Sequence, residues 1–279
     1  MSMRIWMVAV FAVISTACGV GNGTPGSVTR AVQGNFTKLK LQSGIQATIT
    51  IGPHQDLVLG GDEGLLENTF QTQVTADGTL DANLGFAFPS SIPFTLQVQM
   101  PAVESIIASG SSKFTATDLS SIEIDHLELR MSSMSVGTLG GVNARSVSAH
   151  GSGASTLNLS GSQIEEQIDL RLSGASTGNL EQLSAQLVTA DCSGASHLNM
   201  DGPGTNSQME INLSGGSTLK AKDYQVNTGK VDGSGNSVAE VTVTNAVSGL
   251  LIRGSQMTVF GNPPTRNVTV EDTSTVTYP

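Results

Sequence analysis

Residues 169–180 read DLRLSGASTGNL, in which a Ser-Gly-Ala-Ser tetrapeptide separates two short runs of alternating residues. Similar tetrapeptides recur from residue 109 onward, and the last residues of successive copies are 18 to 23 positions apart. The copies are Ser109–Ser112, Ser152–Ser155, Ser173–Ser176, Ser193–Ser196, Ser214–Ser217 and Ser234–Ser237, with weaker ones at Ser132–Ser135, Arg253–Gln256 and Glu271–Ser274. A repeat of this length is typical of a solenoid, in which each unit stacks on the next.

Apolar residues recur at fixed distances from the end of each copy. The column four positions before that end contains Met131, Leu172, Cys192, Leu213, Ile252 and Val270, and the column six positions before it contains Leu129, Leu170, Ala190, Ile211, Val231 and Leu250. The column four positions after it contains Leu139, Leu159, Leu180, Met200, Val241 and Phe260. Residues two apart in a strand point to the same side, so we expect these columns to share one interior.

The repeat predicts an all-β fold, a right-handed parallel β-helix of about nine rungs, each of about 20 residues, over residues 101–279. Each rung would contain two strands, one on either side of its tetrapeptide. The glycine permits a tight corner at positive φ, and the serine hydroxyls can bond to backbone groups there. The serines are therefore expected to be structural.

Residues 29–100 lack the repeat. The alternation from Leu39 to Ile51 predicts a strand with one buried face, and Asp77-Gly78 between two further runs predicts a hairpin. We expect an antiparallel β region that caps one end of the stack. At the other end Pro263-Pro264 is expected to interrupt the stack, since an uncapped rung invites self-association.

The N-terminus carries targeting signals. Residues 1–17 contain Arg4, an apolar run and then small residues, as in a signal peptide. Cys18 stands where a bacterial lipoprotein carries its lipidated cysteine, although Ser15 replaces the usual leucine and also fits ordinary signal cleavage. We expect residues 18–28 to form a Gly-rich tether. The expected location is the outer membrane or cell surface as a lipoprotein, and otherwise the periplasm or the medium.

Composition argues against several classes of ligand. The formal net charge is −10 and only 13 residues are Lys or Arg, which disfavours nucleic acid and anionic membrane surfaces. Membrane association is therefore expected only through an N-terminal lipid. His54, His126, His150 and His197 do not have the spacing of a metal site, and we expect no cofactor.

One outward column is a candidate surface site. Parallel stacking would place the residues five positions before the end of successive copies about 4.8 Å apart. These residues are Arg130, His150, Arg171, Asp191, Asn212 and Asp232. Solvated charge pairing between rungs explains this column equally well. A second column, of Asn158, Asn179 and Asn199, is expected to be a structural amide ladder.

Motifs outside the repeat resemble one bacterial family. They are Phe36-Thr-Lys-Leu-Lys-Leu41 with Gly44-Ile45, Gly60-Gly-Asp-Glu63 with Leu65-Leu66, Asp77-Gly-Thr-Leu80, and Met100-Pro101 leading to Ser109–Ser112. Over residues 36–279 the chain resembles the auto-transporter adhesin, head GIN domain family. The resemblance implies a secreted or lipid-anchored β-solenoid with no assigned catalytic residues.

Three classes of function remain open, of which the last is a self-associating structural protein of the envelope, since uncapped rungs invite edge pairing. The first is a non-enzymatic envelope or surface lipoprotein, an adhesin-like or scaffolding module that binds an envelope component or a glycan and can form oligomers. The second is an exported β-helix carbohydrate-active enzyme, a polysaccharide lyase or hydrolase. Such enzymes usually hold sugar rings on aromatic platforms, and outside the signal segment the chain has no Trp and only Tyr224 and Tyr278. We therefore favour the first class and assign no catalytic residue.

Overall fold

The structure is a computed structural model that describes residues 23–85, 91–202 and 207–279. In these ranges, 23 β-strands are hydrogen-bonded into one continuous sheet, which coils into a solenoid of about eight turns. The predicted β-solenoid is confirmed, whereas its hand stays a prediction. The predicted signal peptide and Cys18 lie outside the described residues.

The part before residue 101 contains seven strands and a short helix within its described residues. They are β1 (Pro25–Arg30), β2 (Lys38–Leu41), β3 (Gln46–Ile51), β4 (Asp56–Asp62), α1 (Glu63–Thr69), β5 (Phe70–Val74), β6 (Thr79–Leu84) and β7 (Thr95–Met100). The pairs β1–β4, β4–β7 and β5–β6 are antiparallel, but β2 pairs in parallel with β6, and β3 with β7. The region is therefore mixed, not wholly antiparallel, because β2 and β3 already form a rung.

The remaining strands follow the predicted plan of one strand on each side of every tetrapeptide. They are β8 (Ser105–Ala108), β9 (Lys113–Ala116), β10 (Ile124–Met131), β11 (Val136–Gly140), β12 (Asn143–Gly151), β13 (Thr156–Ser160), β14 (Gln163–Leu172), β15 (Thr177–Glu181), β16 (Leu187–Cys192), β17 (His197–Asp201), β18 (Gln208–Leu213), β19 (Thr218–Gly233), β20 (Val238–Leu251), β21 (Gln256–Phe260), β22 (Thr265–Val270) and β23 (Thr275–Thr277). We call the strands that precede the tetrapeptides side 1 and those that follow them side 2. The chain between side 2 and the next side 1 forms a third, less regular side, which β19 and β20 cross without a break.

Parallel pairing fixes the register of the whole stack. Leu172 lies opposite Cys192, and Cys192 lies opposite Leu213. All three side chains are at most 3% exposed, so the predicted columns fill one interior. On the third side, Tyr224 is fully buried. The stack extends across residue 101, because β2 and β3 also pair in parallel with β8 and β9.

One rung departs from the predicted register. The buried serine of this rung is Ser255, so the copy predicted at Arg253–Gln256 ends one residue earlier. Leu251 is buried and Leu250 is 39% exposed. A shift of one residue moves every side chain to the opposite face of a strand, so the inward positions predicted for Leu250, Ile252 and Phe260 are wrong.

Two further predictions change at the ends of the chain. Val270, predicted to lie in an inward column, is 38% exposed, because no described rung follows β22 to cover it. The tether predicted for residues 18–28 is wrong from Pro25 onward, where β1 pairs with β4. No helix in the described ranges is long and apolar enough to cross a membrane.

Candidate functional site

Each tetrapeptide turns the chain from side 1 to side 2. Gly174 and Gly194 have φ values of +70° and +74°, in the left-handed region that favours glycine. A Cβ atom on Gly194 would lie 2.9 Å from the carbonyl oxygen of Gly174. The corners therefore stack in direct contact, which holds the outward columns of both sides in register.

The last serine of each tetrapeptide points into the interior. The column consists of Ser112, Ser135, Ser155, Ser176, Ser196, Ser217, Ser237, Ser255 and Ser274, all of which are buried. The single O–H of Ser176 is shared between the carbonyl oxygens of Ser173 at 2.9 Å and Gly151 at 3.2 Å. The Ser217 hydroxyl donates in the same way to the Cys192 carbonyl. These contacts confirm the structural role expected for the serines.

The candidate column on side 1 is assembled as predicted. Adjacent rungs place Arg130 opposite His150, His150 opposite Arg171, and Arg171 opposite Asp191. The column continues with Asn212 and Asp232, which are likewise in register with their neighbours. We call these six residues the strip. Whether the strip binds a ligand stays a prediction.

Ion pairs in the strip run along strands. Arg130 pairs with Glu128 at 2.6 Å, Arg171 with Asp169 at 3.8 Å, and Lys230 with Asp232 at 3.3 Å. The expected charge pairing between rungs is replaced by these contacts, because residues two apart on one strand face are also neighbours. Between rungs, the Asn212 amide donates to the Asp191 carboxylate at 2.7 Å.

A shallow depression of about 360 Å³ lies beside the middle of the strip. His150, Arg171 and Asp191 line it together with the first serines of three tetrapeptides, Ser152, Ser173 and Ser193. Cys192 lies beneath it, between Asp191 and Ser193 in the chain. Burial raises the pKa of the Cys192 thiol to about 12, and a hydrogen bond with Ser196 has a smaller, lowering effect. The thiol is therefore neutral near pH 7 and does not supply a nucleophile to the depression.

Side 2 carries a continuous amide ladder. The Asn199 amide nitrogen donates to Asn179 Oδ1 at 2.8 Å, and the Asn179 nitrogen donates to Asn158 Oδ1 at 2.7 Å. The Asn158 nitrogen extends the ladder to Thr138 Oγ1 at 3.3 Å. The predicted structural ladder is confirmed. Since these amides are fixed by one another, they also present an ordered polar surface.

One histidine cluster was not predicted from the sequence. His126 Nδ1 lies 2.9 Å from Ser146 Oγ, and His126 Nε2 lies 3.1 Å from Ser148 Oγ. Both ring nitrogens thus contact hydroxyls, whereas a nucleophilic triad needs a carboxylate on one of them. His126 also borders a groove of about 430 Å³ whose other charged residues are mostly acidic. His126 and Ser146 lie opposite each other in the parallel register, nine positions before the ends of their copies. This column has no repeated chemistry, so it was not singled out from the sequence.

Metal-ligating side chains are scattered. Within the described ranges, no three His, Cys, Asp or Glu residues lie close enough together to hold a metal ion. Arg145 pairs with Asp125 at 3.3 Å beside His126, which further neutralises that acidic surface. The chemistry that the described surfaces offer is hydrogen bonding and charge pairing.

A comparison with protein families gives one match. The sequence model of the family described as "Putative auto-transporter adhesin, head GIN domain" matches residues 35–201 and 165–263. The chain belongs to this family. The match includes the strip, the amide ladder and all but the end of the stack, so these features lie within the head GIN domain. A comparison with curated proteins found no match in sequence.

Solved structures share the fold of this head GIN domain protein. A "putative adhesin" from Parabacteroides merdae has 16% identity and a TM-score of 0.64, with 92% of this chain and 97% of that chain covered. A "Putative lipid binding protein" from Parabacteroides distasonis has 13% identity and a TM-score of 0.60, with coverages of 92% and 98%. A "putative adhesin" from Bacteroides fragilis has 12% identity and a TM-score of 0.52, with coverages of 91% and 97%. None of these three descriptions names an enzyme, and identities this low carry the fold only.

Proposed function

We propose that this head GIN domain protein is a non-enzymatic, adhesin-like module of the cell surface that binds a hydroxyl-rich glycan of the envelope or of another cell. The observation that carries the proposal is the amide ladder of Asn158, Asn179 and Asn199 on side 2. Membership of the adhesin-described family and the fold shared with two proteins described as adhesins support it.

The ladder leaves bonding capacity on every rung. An asparagine amide has two N–H donors and an oxygen with two lone pairs. In the ladder Asn179 uses one donor toward Asn158 and one lone pair toward Asn199. The second donor and lone pair of each amide can bond to ligand hydroxyls. Because the side chains are already ordered, binding costs little side-chain entropy.

Neighbouring side-2 positions extend this polar surface. Thr156 and Thr177 lie in register one column away, followed by His197 and Thr218. The rungs repeat about every 4.8 Å, so a polymer with regularly spaced hydroxyls can contact several rungs at once. Many weak contacts along one chain then add to a useful affinity, as in multivalent binding.

The anchor in this proposal is a lipid on Cys18. Cys18 lies seven residues before Pro25, where β1 starts, and seven residues span at most about 25 Å. A lipid there would hold the β1–β4 end of the molecule near the membrane and leave side 2 accessible. Export by the signal peptide of residues 1–17 is part of the same proposal.

Glycan binding can be tested on the purified chain with arrays and with polysaccharides extracted from bacterial envelopes. The variant with Asn158→Ala, Asn179→Ala and Asn199→Ala is expected to lose at least about tenfold in affinity, since each lost hydrogen bond is worth about 1 kcal/mol. A matched variant removes three amides outside side 2 and outside the strip, through Gln163→Ala, Gln167→Ala and Gln208→Ala, and should bind normally. Absence of binding by the unmodified chain, or equal binding by both variants, would refute the proposal.

The anchor is tested separately. Mass spectrometry of the mature N-terminus should find a lipid on Cys18, and Cys18→Ala should move the chain from the membrane fraction to the soluble fraction. A mature chain that begins at Cys18 without lipid would remove the anchor from the proposal but leave glycan binding to stand or fall on its own test.

A further inference from the structure

The outward column on side 1 has an ordered sequence of charges. Extended by one rung in each direction, it reads Ile107, Arg130, His150, Arg171, Asp191, Asn212, Asp232, Leu250. The first half is apolar and then basic, and the second half is acidic and polar and then apolar. If the column is read in the reverse order, acidic residues take the places of the arginines, and an apolar residue again stands at each end.

We propose that side 1 is the interface of a symmetric dimer, in which a second copy of this chain packs against it with its stack running in the opposite direction. The two-fold axis lies in the interface, parallel to the strands, between the rungs of Arg171 and Asp191. Rotation about this axis reverses the order of the rungs but keeps each residue's position along its strand. Each outward column on one copy therefore faces the same column on the other copy, with its rungs in the reverse order. Isologous interfaces have this property.

The charges of the strip are matched by this arrangement. Arg171 meets the partner's Asp191, and Arg130 meets the partner's Asp232. His150 meets the partner's Asn212, which carries no charge. Each contact occurs twice, because the interface is isologous. Arg171, Asp191 and Arg130 are all exposed, so they are available to a partner.

A second outward column on side 1, two residues before the strip on each strand, supports the same axis. It contains Glu128, Ser148, Asp169, Thr189, Glu210 and Lys230. In the rung of β10, Glu128 and Arg130 form an ion pair, and in the rung of β19 the pair Lys230 and Asp232 has the reverse order along the strand. The proposed axis exchanges these two rungs. Glu128 then meets the partner's Lys230 while Arg130 meets the partner's Asp232, so all four charges lie next to opposite charges. Charge arrangements of this kind fix register and reject wrong alignments.

Between these rungs, the second column avoids like charges. The axis pairs Asp169 with the partner's Thr189, and Ser148 with the partner's Glu210. At the outer rungs, Ile107 meets the partner's Leu250, whose side chain is 39% exposed. Two apolar contacts thus flank the charged part of the interface, and beyond them Lys40 faces the partner's uncharged Thr269.

Registers shifted by half a rung are disfavoured by the same residues. Moving the axis by half a rung spacing would place Arg171 against the partner's Arg171, or Asp191 against the partner's Asp191. Side 2 has no such pattern. The same rotation applied to its central column would set Asn158 against the partner's Lys220 and Thr138 against the partner's Glu240, so its charges would meet uncharged residues. The full set of matches, from Ile107 with the partner's Leu250 to Arg171 with the partner's Asp191, occurs on side 1 at the proposed alignment.

The size of the surface is sufficient for a stable complex. Eight rungs at about 4.8 Å and strands of about six residues at about 3.3 Å give a face of about 40 by 20 Å. This corresponds to about 800 Å² per partner, the usual size of a specific interface. The dimer leaves the amide ladder on side 2 accessible, so the inference does not depend on the proposed function.

Sedimentation equilibrium on the purified full chain tests the dimer. The unmodified chain is expected to dimerise, more weakly as salt increases. Arg171→Asp alone and Asp191→Arg alone each place like charges together at two symmetric positions and should raise the dimer dissociation constant at least about tenfold. The double variant Arg171→Asp/Asp191→Arg should restore it to within about threefold, since the pair is only exchanged.

Matched changes on side 2 serve as controls. Lys220→Asp, alone or with Glu240→Lys, should leave the dissociation constant unchanged, and circular dichroism should report the same β content for all variants. A chain that stays monomeric at all concentrations overturns the proposal. So does a single reversal without effect, or a double exchange that fails to restore association.

Discussion

The guanidinium carbon of Arg266 lies 4.2 Å from the centre of the Tyr278 ring, at the last described rung of the stack. Both side chains occupy inward columns. Arg266 pairs with the buried Val247, and Tyr278 is two residues beyond Val276, which pairs with the buried Met257. A cation and an aromatic ring thus cover the interior at this end.

The contacts of Arg266 correct one expectation. Its Nε atom donates to the Pro263 carbonyl at 3.1 Å, and its Nη2 atom donates to Asn262. Pro263-Pro264 was expected to interrupt the stack, but β22 and β23 follow it. The prolines instead help to hold the arginine, and a charged residue at an inward position discourages a further strand from adding to the edge.

Removing this cover should loosen the last rung. Tyr278→Ala loses a cation–π contact worth about 0.5–1 kcal/mol, so amide hydrogen exchange in Thr265–Val270 should become about two- to fivefold faster. Lys222→Ala serves as a control, because it removes a comparable contact that lies farther from this end. The Lys222 Nζ atom is 5.0 Å from the centre of the Phe260 ring, and its loss should leave exchange in Thr265–Val270 unchanged. Unaltered protection in Tyr278→Ala would show that the ring does not stabilise the end.

The buried serines should differ in their contribution to stability. Ser176→Ala removes the hydroxyl that is shared between two carbonyl oxygens and is expected to lower the free energy of unfolding by about 1 kcal/mol. Ser155 is equally buried, but its hydroxyl lacks a hydrogen-bond partner among the described residues, so Ser155→Ala should be neutral or slightly stabilising. Denaturant unfolding compares the two, and equal losses would contradict this account.

Stacked corners should tolerate side chains poorly. Gly194→Ala places a Cβ atom 2.9 Å from the carbonyl oxygen of Gly174, in addition to the strain of positive φ, and should cost about 3 kcal/mol. Gly161 also has positive φ, at +57°, but a Cβ atom there would have no neighbour within 4 Å. Gly161→Ala should cost only about 1 kcal/mol. Similar unfolding midpoints for the two variants would argue against close stacking of the corners.

Alkaline pH should destabilise the protein through Cys192. Burial raises its pKa from 9.0 to about 12, so below pH 9 the thiol is neutral in both the folded and the unfolded chain. Above pH 9 the unfolded chain loses a proton that the folded chain keeps. Stability should then fall by about 1 kcal/mol per pH unit until the folded pKa is reached.

A variant without the thiol isolates this effect. Cys192→Ala should lose that slope just above pH 9 while keeping the contribution of Tyr224, whose pKa burial also raises. In the unmodified chain, thiol reagents should label Cys192 only after unfolding, because it is 2% exposed. Parallel pH curves for the two proteins would contradict the prediction.

The sequence predicted the stack well because burial imposes the same requirement on every rung. Leu172, Cys192 and Leu213 repeat at the spacing of the corners, and parallel stacking places them side by side. The strip and the amide ladder follow from the same register, since outward residues alternate with inward ones.

The remaining features depend on details that the repeat does not encode. Alternation in β2 and β3 is the same for parallel and antiparallel pairing, so their parallel partners were not predictable from it. The corner that ends at Ser255 lacks the usual serine pattern, which led to an error of one residue. The ion pairs depend on side-chain rotamers, as for Arg171 with Asp169, and sequence spacing does not fix these.

The stack sets two different rules for how this protein can change in length during evolution. Duplication of one unit of about 20 residues would lengthen the molecule by about 4.8 Å and extend the interior without new chemistry. The outward column of side 1 is instead matched about a midpoint between Arg171 and Asp191. An extra unit in either half would displace that midpoint, so the interior permits many lengths whereas a paired surface restricts the number of rungs.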